Sequence, residues 1–186
     1  MVQENLKREV VQEKKKGLTV SDIMLVGILL AAGAVLKFFV GSVINFGLKP
    51  NFIIAMYCLA ILLIRPKLRE AAVIGLLAGA ICQFFPSQPY INFASEFVGA
   101  LAMALLIRLP VPDGKFPLKP IVGTFFTTLV SGFVFVGVMY VMYYTGAHIT
   151  PTPLAVFLSI IFGTAFINAV IVQILYIPLR LALKKS

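Results

Sequence analysis

From Thr19 to Ala182 the chain is a succession of apolar runs, broken only by short connections that carry proline, glycine or basic residues. A helix that crosses a membrane needs about 20 mainly apolar residues, with a range of about 17–25. Within lipid every backbone N–H and C=O must find its partner inside the protein, and a helix does this segment by segment. The punctuation divides the chain into runs over 19–40, 50–64, 68–85, 91–109, 118–145 and 153–182. Thr19, Ser21 and Asp22 supply caps for the first run, and Pro50 and Pro153 open the second and the sixth. Arg65-Pro66, Phe85-Pro86, Pro110 with Pro112, and Gly146 stop the four runs between. The reading is an all-α integral membrane protein with six transmembrane helices in one bundle over 19–183, preceded by a basic tail over 1–18. The second run is short, so it tilts little or extends into its loop.

Composition excludes the soluble classes. Of 186 residues, 60% are hydrophobic and only 12% are charged. Soluble domains carry about 45–50% apolar and about 25% charged residues. A chain with half that charge cannot cover a globular surface, so a soluble enzyme, a disordered protein and a nucleic-acid partner are all set aside. The formal net charge of +9 then reports orientation. Basic residues cluster in the N-terminal tail, at Arg65, Lys67 and Arg69, at Arg108, Lys115 and Lys119, and at Arg180, Lys184 and Lys185. Six spans bring all four clusters to one face, which makes both termini cytoplasmic. The first run is expected to remain as a span rather than be cleaved as a signal peptide.

Three charges escape this pattern: Lys37, Lys49 and Glu96, all in the outer half of the expected bundle. A charge at membrane depth costs at least about 2.5 kcal/mol and usually faces the interior with a partner. Glu96 either pairs with Lys37 or Lys49, or contacts an ammonium or ring N–H of a ligand. Lys37 either snorkels to the interface or binds a ligand. Lys49 precedes Pro50-Asn51, where a helix N-terminus also offers free N–H groups to an anion.

The outer connection Gln83-Phe84-Phe85-Pro86-Ser87-Gln88-Pro89-Tyr90-Ile91-Asn92 mixes rings, amides and two prolines. It reads either as an ordinary interfacial turn or as part of a preformed pocket for a small planar molecule. Asn168 and Gln173 are polar and buried candidates in the sixth run, where such residues often bond between helices. His148 reads as a loop residue. Cys58 and Cys82 read as small embedded side chains. Gly27-x-x-x-Ala31, continuing as Ala32-Gly33-Ala34, lets another helix approach closely, either within the bundle or as a docking partner. Gly75-x-x-x-Gly79 reads as packing within the bundle.

No GxxxxGK[ST], GxSxG or HExxH motif is present, and no buried acids line the inner halves of the spans. No cofactor or metal is implied. A non-enzymatic solute-binding membrane subunit accounts for this set best. A stand-alone secondary carrier or small channel for a small solute is the alternative, and a membrane enzyme with an unfamiliar site is third.

A basic-tailed chain of six spans, with small residues in the first and a polar pocket near the outer face, resembles the substrate-binding S components of energy-coupling factor (ECF) transporters. Residues 48–65, then Val73-Ile-Gly-Leu-Leu-Ala-Gly and Ile91-Asn92, look like the tryptophan-transport branch. That branch implies a Lys-Pro-Asp-like start to the second span and a Lys at position 96, where this chain has Asn51 and Glu96. The resemblance implies capture of a tryptophan-like amino acid or, next, a water-soluble vitamin, outside a bacterial or archaeal plasma membrane. Lys37, Lys49, Asn51, Gln83, Phe84, Phe85, Tyr90, Asn92, Glu96 and Asn168 are the expected binding residues. It also implies a transmembrane coupling protein and two cytoplasmic ATPases as partners, with Gly27, Ala31 and Ala34 at the docking position.

Overall fold

The computed structural model describes residues 17–43, 51–85, 90–110, 117–147 and 153–184, together with Gln88 and Ile149. Among these the fold is all-helical: α1 Val20–Val43, α2 Phe52–Ile64, α3 Leu68–Cys82, α4 Ile91–Leu106, α5 Lys119–Tyr144 and α6 Leu154–Lys184. Each apolar run has become one helix, with small shifts at the ends.

Local chemistry explains those ends. The Asp22 carboxylate accepts the Thr19 backbone N–H at 2.9 Å, and Thr19 Oγ1 accepts the Asp22 N–H in return at 3.2 Å, which caps α1. Arg65 adopts a left-handed conformation, φ 53°, and its N–H closes α2 on Ile61 O. Glu70 takes the Lys67 N–H at 2.7 Å to start α3. The third run was expected to stay helical to Phe85. Instead α3 ends at Cys82, and Gln83, Phe84 and Phe85 wind more tightly through bonds to the third residue back. The fourth run behaves likewise: α4 ends at Leu106 rather than at 109, with Arg108 and Leu109 bonded three residues back. α6 continues through Pro178 to Lys184.

Three helices, α1, α5 and α6, are long and apolar enough to cross a membrane. α2 and α4 are apolar but shorter. Thirteen residues at about 1.5 Å each make α2 about 20 Å long, against a hydrocarbon thickness of about 30 Å. An apolar helix of that length belongs in a core, and α2 occupies one. Phe52 through Leu62 are all buried, and α2 packs against each of the other five helices.

The seam between α3 and α4 is the closest in the bundle. A Cβ at Gly75 would stand 2.6 Å from Glu96 O and 2.9 Å from Phe97 Cα. A Cβ at Gly79 would stand 2.9 Å from Phe93 Cα. The small pair therefore brings backbone onto backbone and sets the height of Glu96 in the bundle. On α1 the small residues divide between two faces. Gly33 is buried against Met56 and Ile53 of α2, whereas Gly27 has no neighbour and Ala31 is exposed. Ala34 lies half-buried between them.

Candidate functional site

All six helices, or the residue that caps them, send at least one polar side chain to the same place. Lys37 comes from the last third of α1, Asn51 caps the start of α2, and Cys82 ends α3. Glu96 lies on the second turn of α4, Ser131 midway along α5, and Asn168 midway along α6. Glu96 is 1% exposed and is therefore a carboxylate wholly inside the protein. Burying such a group without partners costs several kcal/mol, so its contacts organise the site.

Asn51 Nδ2 donates to Glu96 Oε1 at 2.6 Å, and Ser131 Oγ donates to Glu96 Oε2 at 3.2 Å. Lys37 Nζ donates to Asn51 Oδ1 at 3.3 Å. Asn51 thus joins the ammonium to the carboxylate through one amide, using its donor on one side and its acceptor on the other. Lys37 also stands 3.6 Å from Cys82 Sγ and 5.0 Å from the centroid of the Phe85 ring. Asn168 Nδ2 donates to the Asn51 carbonyl at 3.2 Å and reaches Thr128 Oγ1 at 3.5 Å. The start of α2 is therefore held from α6.

Two buried polar atoms beside this cluster are without a hydrogen-bond partner: Tyr57 Oη and Asn168 Oδ1. The Tyr57 hydroxyl stands over Gly99, next to Glu96 and Ser131, without a well-aligned bond to either. Only the missing Cβ at Gly99 leaves room for it. An unsatisfied buried polar group costs about 1–3 kcal/mol. The centre thus combines an ammonium, a carboxylate, two spare polar atoms and the Phe85 ring in one apolar surround.

Of the residues expected from the sequence, Lys37, Asn51, Phe85, Glu96 and Asn168 converge here. Lys49 lies outside the described residues. Asn92 is buried one turn before Glu96, and its carbonyl faces Gly79. Gln83 braces the α3–α4 connection, donating to Gly79 O at 3.0 Å and accepting the Tyr90 N–H at 3.2 Å. Phe84 and Tyr90 stand away from the cluster, at 88% and 75% exposure. Cys82, Ser131, Thr128 and Tyr57 belong to it and were not singled out as site residues. Their signal was weak but present. Thr124, Thr127, Thr128 and Ser131 share helical spacing, and all are buried on the inward face of α5.

Asn51 and Glu96, the two positions where the resemblance implied Asp and Lys, touch one another. With a carboxylate at 96, an aspartate at 51 would face it directly. The neutral amide donates to it instead.

An apolar helical bundle built around a buried carboxylate and a part-buried amide and ammonium has the make-up of a membrane transport protein. The chain matches the family described as Tryptophan transporter TrpP over residues 19–184, and it belongs to that family. A probable tryptophan transport protein of Clostridium acetobutylicum is 28% identical over 168 residues, which cover 88% of this chain and 92% of that protein. No solved structure matches the chain.

Proposed function

We propose that the chain is the substrate-binding membrane subunit of an ECF-type importer and that it captures tryptophan or a close indole amino acid. The observation that carries this reading is the Lys37–Asn51–Glu96 relay. A free amino acid brings one carboxylate and one ammonium, and this centre offers one partner for each. Lys37, with Lys49 near it in sequence, takes the α-carboxylate. Glu96 takes the α-ammonium, and Asn51 and Asn168 fix the backbone end. Phe85 stacks on the indole, the Tyr57 hydroxyl donates or accepts, and Asn168 Oδ1 accepts where the ligand is polar.

In this reading the six helices make six crossings of a bacterial or archaeal plasma membrane, with both termini in the cytoplasm. The centre then lies toward the outside. Energy comes from a coupling protein and two ATPases, which dock on the outward face of α1 at Gly27 and Ala31. A stand-alone carrier would move solute in liposomes without those partners.

The test exploits composition. The chain contains no tryptophan residue. Bound L-tryptophan would be the sole indole in the sample, and its emission shifts to shorter wavelength when the ring leaves water. Saturable sub-micromolar binding by this signal is the expected result. Purified, folded protein that gives no saturable change with L-tryptophan would sink the substrate assignment.

A further inference from the structure

A groove lies at the other end of the bundle from the Glu96 cluster. It measures about 340 Å³ and opens between the end of α2 and the end of α6. Leu62, Leu63, Tyr176 and Leu183 form its walls, and Arg65 and Arg180 flank it. The two arginines come from helices that are distant in sequence and adjacent in space. The Arg180 guanidinium rests over the Tyr176 ring, 5.8 Å from its centroid, and Tyr176 is itself buried. Neither guanidinium meets a carboxylate among the described residues.

We propose that this groove binds the phosphate of an anionic glycerophospholipid, with an acyl chain laid along the leucine wall. A guanidinium presents a planar fork that matches phosphate oxygens in pairs. Two of them on one groove favour a headgroup of net negative charge over a zwitterionic one, whose ammonium offsets its phosphate. The end of α2 opposes this with about half a negative charge from its carbonyls, and two full positive charges outweigh it. The apolar wall selects the source of the phosphate. Leu183 lines the groove and is 44% exposed, and Ile177 and Leu181 of the same helix are 42% and 58% exposed, so α6 presents apolar surface beside the arginines. A lipid covers that surface, and a free phosphate does not. Positive-inside bias explains basic residues at this end. It does not explain two arginines meeting over one apolar groove, one of them stacked on a buried tyrosine.

The test uses the full chain, purified in mild detergent, stripped of lipid and titrated with phosphatidylglycerol or phosphatidylcholine of the same acyl chains. Bound lipid is counted by native mass spectrometry. Phosphatidylglycerol should be preferred by roughly tenfold or more, as two near-surface cations imply. Arg65→Gln with Arg180→Gln should bring the two lipids to parity. Arg69→Gln with Lys119→Gln removes the same charge from the same end, outside the groove, and should leave the preference intact. If the groove double variant does not fold by circular dichroism, Arg180→Gln alone decides, because Arg180 is exposed and stacks on Tyr176 alone. Four results overturn the proposal. They are an undiminished preference in the groove variant, an equal loss in the control, displacement of lipid by inorganic phosphate at matching concentration, and unchanged lipid with loss of a protein partner instead.

Discussion

Asn51 and Glu96 meet at 2.6 Å across two helices that pack through an otherwise apolar core. The amide makes a costly buried carboxylate one end of a three-membered chain whose other end is Lys37. Lys37 and Glu96 are thereby coupled without touching. In the proposed function each exchanges its protein partner for a ligand group of the opposite charge.

Asn51→Asp would place a second carboxylate at that contact and remove the donor. Thermal unfolding in detergent should show a loss of roughly 2–3 kcal/mol, the worth of a hydrogen bond to a charged group. Adding Glu96→Lys should recover part of it, because opposite charges face each other again. A double-mutant cycle that gives simple additivity would show that the two side chains do not communicate.

Glu96→Gln should weaken L-tryptophan binding by roughly 10–100-fold, the loss of one charge-assisted bond to the ammonium. Indolepropionate has no amine, so its binding should not fall further in the variant. Equal losses for the two ligands would mean that Glu96 acts on the shape of the pocket and not on the amine.

Gly75→Ala should destabilise the protein by about 1–3 kcal/mol, because the new methyl group meets α4 backbone that has nowhere to move. It should weaken ligand binding as well, since the displaced turn carries Glu96. Gly137→Ala, where a Cβ meets nothing within 4 Å, should leave binding unchanged and stability equal or slightly higher. Parallel melting curves of the two variants provide the comparison.

Gly27→Leu should melt and bind ligand as the parent does, because nothing lies within 4 Å of that position. Uptake of labelled tryptophan by cells that carry the whole importer should drop severalfold or more. Gly33→Leu should behave in the opposite order, failing first in stability where it meets Met56 and Ile53. Normal uptake by the Gly27 variant would remove this face of α1 from the docking reading.

Much of the architecture was legible before any coordinates. Prolines and basic pairs mark helix ends because they break the backbone ladder or avoid hydrocarbon, and the observed helices follow them within a few residues. Glu96, Lys37 and Asn51 stood out for the same reason: polar groups in apolar runs are too costly to be incidental. What stayed hidden depends on rotation about helix axes. Ser131 and Thr128 are ordinary in an apolar helix, and only the facing of α5 toward Glu96 gives them a role. Cys82 looked like filler until the packing of the end of α3 against α1 put its sulfur beside Lys37. Phe84 and Phe85 are neighbours in sequence, yet one faces out and the other lies under an ammonium. Nothing short of the fold distinguishes them.

The bond from Asn168 to the Asn51 carbonyl spans 117 positions. It reaches from the last helix to the first residue of the centre's main connector. During synthesis, the second helix leaves the ribosome long before the sixth exists. Its opening turn therefore forms with that carbonyl bonded only to the Ile54 N–H of its own helix, and the Asn168 amide is added later. Maturation of the centre is consequently a final event, completed when the closing helix arrives. A chain cut short ahead of Asn168 would keep the Lys37–Asn51–Glu96 series and lack the clamp on its middle member, so in the proposed function it should hold its ligand more weakly.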